Sequence, residues 1–152
     1  GIREQKGGVV MADIMAVLER ARSYEQEILI QLEHIERLHR IAARAMSSPQ
    51  RSEQIIEKLN KLEQELNARI DRAVDAKLEA FEYMSILEGE ERGVIECYYI
   101  LAMSWSEVAD KMFMSDRRVY LLRSSALGKM RDHFGGVPRR CDPMRQGTEQ
   151  RV

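Results

Sequence analysis

Between residues 13 and 46 the apolar positions recur with a period of seven. Ile14, Ala21, Ile28, Ile35 and Ala42 occupy one seam position, Val17, Tyr24, Leu38 and Ala45 its partner, and Leu18 and Leu32 widen the stripe. A repeat of this kind belongs to a long amphipathic helix whose apolar face meets another helix. SSPQRS at 47–52 interrupts it, with Pro49 suited to the first turn of a new helix and Ser48 or Ser52 to its cap. A second stripe then runs through Ile55, Ile56, Leu59, Leu62, Leu66, Ile70, Ala73, Val74, Leu78, Phe81 and Met84. Two long helices joined by so short a connection pack as antiparallel neighbours, which predicts a coiled-coil hairpin over 13–87. Stripes this wide are not fully covered in a lone hairpin. Either they bury each other and the C-terminal part, or a second copy covers them as a four-helix bundle; a homodimer through residues 13–87 is the expectation.

Gly89 in LEGEERG marks a boundary, beyond which three shorter helical segments are predicted at 90–101, 105–112 and 116–134. In SWSEVADKM, Ser104 and Glu107 have the spacing of a capping box, and the helix they start puts Val108, Ala109 and Met112 on one side. Phe113, Met114 and Ser115 make a tight turn, after which Ser115 caps the next helix. Helix, short turn and longer helix with basic residues in its first turns is the arrangement of a helix-turn-helix. The predicted fold is therefore all-α: a long antiparallel helical hairpin followed by a small helix-turn-helix domain at 88–134. GIREQKGGVV has no helical period, so residues 1–12 are expected as a disordered leader with Met11 as the natural start, and 135–152 as a disordered basic tail.

At about 100° per residue, Val119, Leu122, Ala126 and Met130 fall within one narrow arc of the last helix and should face the core. Arg117, Leu121, Ser124, Gly128 and Arg131 fall opposite, with Arg118 and Tyr120 at the flanks. A solvated basic face is the common reason for such a pattern. Leu121 set among Arg117, Tyr120 and Ser124 argues for more, because a leucine there suits apolar contact with a thymine methyl in the major groove. The expected DNA-binding residues are Ser115, Asp116, Arg117, Arg118, Tyr120, Leu121, Ser124 and Arg131.

Charge changes the picture in one respect. The net charge is −1, yet residues 52–114 hold seven Lys/Arg against fourteen Asp/Glu, and 115–152 hold nine against four. A localised basic end on an acidic scaffold is what a nucleic-acid-binding module attached to a solvated carrier carries. Cys97 and Cys141 lie far apart with no CxxC, and His34, His39 and His133 share no ligand spacing, so neither a metal site nor a cofactor is expected. The carboxylates are spread along helix faces without a phosphate loop or a grouping of nucleophile, base and orienter, so an enzyme is not expected. No apolar run reaches the length of a bilayer span, which predicts a cytoplasmic protein with no membrane partner.

Residues 87–131, LEGEERGVIECYYILAMSWSEVADKMFMSDRRVYLLRSSALGKMR, resemble region 4 of sigma-70-type factors. The landmarks are an ER-x-V-I helix, W-S-E-V-A for the supporting helix, S-x-x-R-V at the start of the recognition helix and A-L-x-K-M-R at its end. Together with the hairpin, the chain from Met11 is similar to small phage and prophage proteins that join a coiled-coil part to a sigma-region-4-like part, akin to late transcriptional regulators of the RinA and ArpU type. That resemblance implies double-stranded DNA as partner, RNA polymerase as a candidate second partner, and Asp116, Arg117, Arg118, Tyr120 and Leu121 nearest the DNA. Two departures stand out. Tyr120 and Leu121 replace the charged or amide side chains usual in sigma factors, and the promoter-opening stretch of a complete sigma factor is missing. The alternatives are a DNA-packaging protein like a phage small terminase subunit and a protein-interaction module.

Overall fold

The structure, a computed structural model, describes residues 2–44 and 48–135, with side chains from Val10 onward. The described residues form helices joined by short turns, with no strand among them: α1 (Ile2–Arg44), α2 (Pro49–Met84), α3 (Gly89–Ile95) running into a π-helical segment (Glu96–Ile100), α4 (Trp105–Lys111) and α5 (Asp116–Gly135). The tail at 136–152 and the expected seam residue Ala45 lie outside the described residues.

The chain ahead of Met11, expected as a disordered leader, is instead the first part of α1. Once a turn exists, each further residue adds a hydrogen bond. Ile2 to Lys6 are ordinary helix formers, so Gly7 and Gly8, at about 1 kcal/mol each, weaken the helix without ending it. Pro49 starts α2 as expected, with Ser48 extended before it and the Ser52 amide donating to the Ser48 carbonyl at 3.0 Å.

α1 and α2 pack as the predicted hairpin, and its core divides in two. Near the connection, Ile28 and Ile35 meet Leu59, Leu62, Leu66 and Ala73. One buried polar residue sits among them. Gln31 donates to the Leu62 carbonyl at 3.0 Å and accepts from Arg69 at 2.6 Å, a pairing that only one register of the two helices satisfies. In the other half, Ile14, Val17, Leu18 and Ala21 pack with Ala76, Ala80 and Met84, and this core continues without a break into Leu87, Ile95, Tyr99, Ile100, Ala126 and Met130. A smaller cluster of Val94, Cys97, Val108, Ala109 and Val119 holds α3, α4 and α5 to each other.

The seam is narrower than the apolar pattern. Leu29 and Leu32 on α1 and Ile70, Val74 and Leu78 on α2 remain exposed. Leu29 and Leu32 lie four and seven residues after Glu25, while Ile70 and Val74 lie seven and three before Lys77. Glu25 and Lys77 pair across the hairpin at 2.6 Å, so these side chains share the side that this ion pair marks. Arg20–Glu79 at 3.2 Å and Arg69–Glu27 at 4.0 Å mark the other side, which is charged.

The expected helix at 90–101 changes character halfway. The Leu101 amide donates to Glu96 and the Met103 amide to Cys97, both at 3.0 Å, and Ala102 takes a left-handed φ of 57°. Such a widened end leaves carbonyls without helical partners. Arg22 of α1 supplies them: its guanidinium donates to the carbonyls of Tyr98 at 2.5 Å and Met103 at 2.7 Å and lies 3.7 Å from the centre of the Tyr98 ring. A cation at the carbonyl end of a helix is also favoured by its dipole. Arg22→Ala is expected to lower stability by about 2 to 3 kcal/mol, because two carbonyls lose a charged donor. Thermal unfolding followed by circular dichroism measures this, and an unchanged midpoint would show that Arg22 does not hold the two parts together.

Candidate nucleic-acid interface

α4 and α5 are each started by a serine. The Ser104 hydroxyl accepts from the Glu107 amide at 3.2 Å while the Glu107 carboxylate accepts from the Ser104 amide at 2.8 Å, the full capping box that the spacing predicts. The Ser104 backbone and side chain hold the Glu107 carboxyl below its usual range, with Arg22 adding to the effect. Ser115 caps α5 in the same manner, its hydroxyl accepting from the Arg118 amide at 3.1 Å. Ser115 is thereby engaged within the protein.

α5 buries two stretches of one face. Val119 enters the small core, and Ala126 and Met130 enter the core shared with the hairpin, with Leu122 and Leu127 partly covered beside them. At its end Phe134 meets Tyr83 of α2 edge-on at 4.9 Å. The opposite face is open. Tyr120 is 62 % and Leu121 53 % exposed, and Asp116, Arg117, Ser124 and Arg131 are exposed with them.

The flanks are occupied by contacts that reach across the fold. Arg118, expected at the DNA, forms an ion pair with Glu90 of α3, both side chains being about half exposed. Lys129 pairs with Glu91 at 2.7 Å, and the Ser125 hydroxyl donates to the same carboxylate. Arg123, on the other flank, donates to the Tyr99 hydroxyl at 3.3 Å and lies 5.4 Å from the centre of the Trp105 ring, and its buried Nε has no hydrogen-bond partner. Trp105 stacks on Tyr98 with ring centres 3.6 Å apart, so its ring is used inside the domain. Burial pushes the Tyr99 hydroxyl above its ordinary range, with Arg123 opposing the shift. An open cleft of about 400 Å³ lies between Trp105 and the flank of α5, lined by Asp116, Val119, Tyr120 and Arg123. Cys97 packs in the small core, where burial raises its thiol. Among the described residues no grouping of His, Cys, Asp and Glu suits a metal ion.

The structure therefore brings Arg117, Tyr120, Leu121 and Ser124 together on one exposed face with Asp116 at its start and Arg131 near its end. Arg118 is turned to α3, and Ser115 is spent on the cap. Three features escaped the reading of the sequence. Glu90 and Glu91 hold α5 from 28 to 38 residues away in the chain. Arg22 fixes the domain to the hairpin. Phe113, in the turn before α5, is 94 % exposed and has a left-handed φ of 56°. Its place in a tight turn, where glycine is the usual left-handed residue, is the signal that could have found it.

Comparison with family models, with curated proteins and with solved structures gives no match to this chain. Among the described residues no helix is long and apolar enough to cross a membrane.

An exposed phenylalanine in a left-handed conformation gains nothing from the fold and costs about 1 to 2 kcal/mol. Phe113→Gly removes that cost, partly offset by the freer unfolded chain, and is expected to raise stability by about 0.5 to 1 kcal/mol. Denaturant unfolding tests it. A destabilised variant would mean that the phenyl ring is held by the protein after all.

Proposed function

We propose that this protein is a DNA-binding transcriptional regulator of phage or prophage origin that reads duplex DNA with α5 in the cytoplasm of a bacterial host. The observation that carries this reading is the exposed outer face of α5. A recognition helix must be fixed to its own domain along one side while projecting polar and apolar side chains from its N-terminal turns into the major groove. Arg117, Tyr120, Leu121 and Ser124 meet the second requirement, and burial of Val119, Ala126 and Met130 meets the first. α5 holds five Lys/Arg against two Asp/Glu while residues 52–114 hold seven against fourteen, which favours phosphate at α5 over the acidic stretch before it. The likeness of 87–131 to sigma region 4 supports the same assignment and suggests RNA polymerase as a second partner. Nothing in this reading involves an enzyme activity, a metal or a cofactor.

Affinity argues for two copies. A few base contacts at about 1 to 3 kcal/mol each, on a non-specific background near 10⁻⁴ to 10⁻⁶ M, make one module a weak reader. The hairpin offers the means of joining two. Leu29, Leu32, Ile70, Val74 and Leu78 leave one side of it apolar, and a homodimer through residues 13–87 would cover that side. Arg22 lies seven residues before Leu29, so the DNA-reading domain docks on this same side. Dimerisation would then bring two domains near each other, as a symmetric operator requires.

Selection of a random duplex library on the purified protein is expected to enrich a motif with two half-sites at fixed spacing. Arg117→Ala should weaken binding about uniformly across sequences and lower the salt slope by about 1, without loss of helicity. Val74→Glu, placed on the apolar side, should give monomers that bind a single half-site. Absence of any enriched motif, or full affinity in Arg117→Ala, would contradict the assignment of α5.

A further inference from the structure

What α5 would read in the duplex follows from which of its side chains the fold leaves free; this step rests on the DNA-binding proposal above. Five cations lie on α5, and four of them have partners within the chain. Arg118 is paired with Glu90, Lys129 with Glu91 and Arg131 with the adjacent Asp132, while Arg123 is turned to Tyr99 and Trp105. Arg117 alone has no such partner among the described residues. On the outer face stands Leu121, with Tyr120 at its flank, both more than half exposed, and beside them the short hydroxyl of Ser124. In the major groove thymine alone presents a methyl group, at C5, beside its O4 acceptor; the other bases present hydrogen-bonding groups and bare C–H edges. A helix whose other long donors are engaged by carboxylates or rings of its own chain, and which exposes Leu121 and the Tyr120 ring, is suited to contact with a thymine methyl.

We infer that α5 recognises its site chiefly through thymine C5-methyl groups packed against Leu121 and the Tyr120 ring, with Arg117 anchoring the helix on the flanking phosphates. The charge arrangement fits such a seat. Arg117 lies one turn before Leu121 and, unlike Arg118 and Lys129, has no carboxylate partner among the described residues, so an unneutralised cation stands at the N-terminal edge of the apolar patch.

Deoxyuridine tests this directly, because it differs from thymidine in lacking that methyl and keeps every base pair. Binding of the full chain to its selected duplex is measured by fluorescence anisotropy, with deoxyuridine replacing thymidine one position at a time. Positions facing α5 should lose about fourfold in affinity per methyl, the loss that corresponds to one buried carbon. Leu121→Ala should bind the thymidine duplex more weakly and show no further loss on the deoxyuridine duplex at the position that Leu121 covers. Leu121 is half exposed, so helicity by circular dichroism should be retained. Equal binding of thymidine and deoxyuridine duplexes, or a selected motif without thymine under α5, would overturn this inference while leaving DNA binding by α5 intact. A chain that binds no duplex would overturn both. A thymidine preference that persists undiminished in Leu121→Ala would show that the methyl acts through DNA shape and not through this side chain.

Discussion

Everything about the working end of this molecule depends on α5 being gripped by two cores at once. Val119 closes the small core with Val94, Cys97, Val108 and Ala109, and two to three turns further on Ala126 and Met130 close the core that belongs to the hairpin. A helix held at one point could pivot; a helix held at two, with Glu90 and Glu91 bonded along its flank, cannot turn about its own axis without opening one of them. The face opposite the cores is consequently defined to within a residue, and it holds Arg117, Tyr120, Leu121 and Ser124. Rigid presentation of this kind is what recognition by a single helix demands.

Arg22 extends the same constraint to the scaffold. By donating to the carbonyls of Tyr98 in the π segment and Met103 beyond it, Arg22 reinforces the core that the domain and the hairpin share, with the domain seated at the end away from the helix connection. The hairpin is two-sided: charged where Arg20 meets Glu79, apolar where Leu29 and Val74 flank the Glu25–Lys77 pair. The individual ion pairs on its surface contribute little to stability. Their value here lies in which side they leave uncharged.

Much of this architecture is legible in the residue order because its signals are local. The capping box at Ser104 and Glu107, the cap at Ser115 and Pro49 at the start of α2 set helix ends within a few residues, and the seven-residue period set the hairpin. The core side of α5 followed from its helical spacing for the same reason. What was not legible came from contacts remote in sequence. Arg118 lies on a flank by angle alone, and only its pairing with Glu90 shows that it is drawn toward α3. The π segment has no composition signal, since its hydrogen bonds are completed by Arg22 from another helix. Phe113 reads in sequence as an ordinary turn residue, and only its left-handed φ together with its exposure sets it apart.

The central claim is that the face of α5 set by the two cores is the surface that meets DNA. Amide chemical-shift mapping of the full chain, free and with its selected duplex, tests it most directly. The account predicts that the largest changes fall on residues 115–124 and on Arg131, with the charged side of the hairpin unmoved. Changes concentrated within 13–87, with α5 silent, would contradict it.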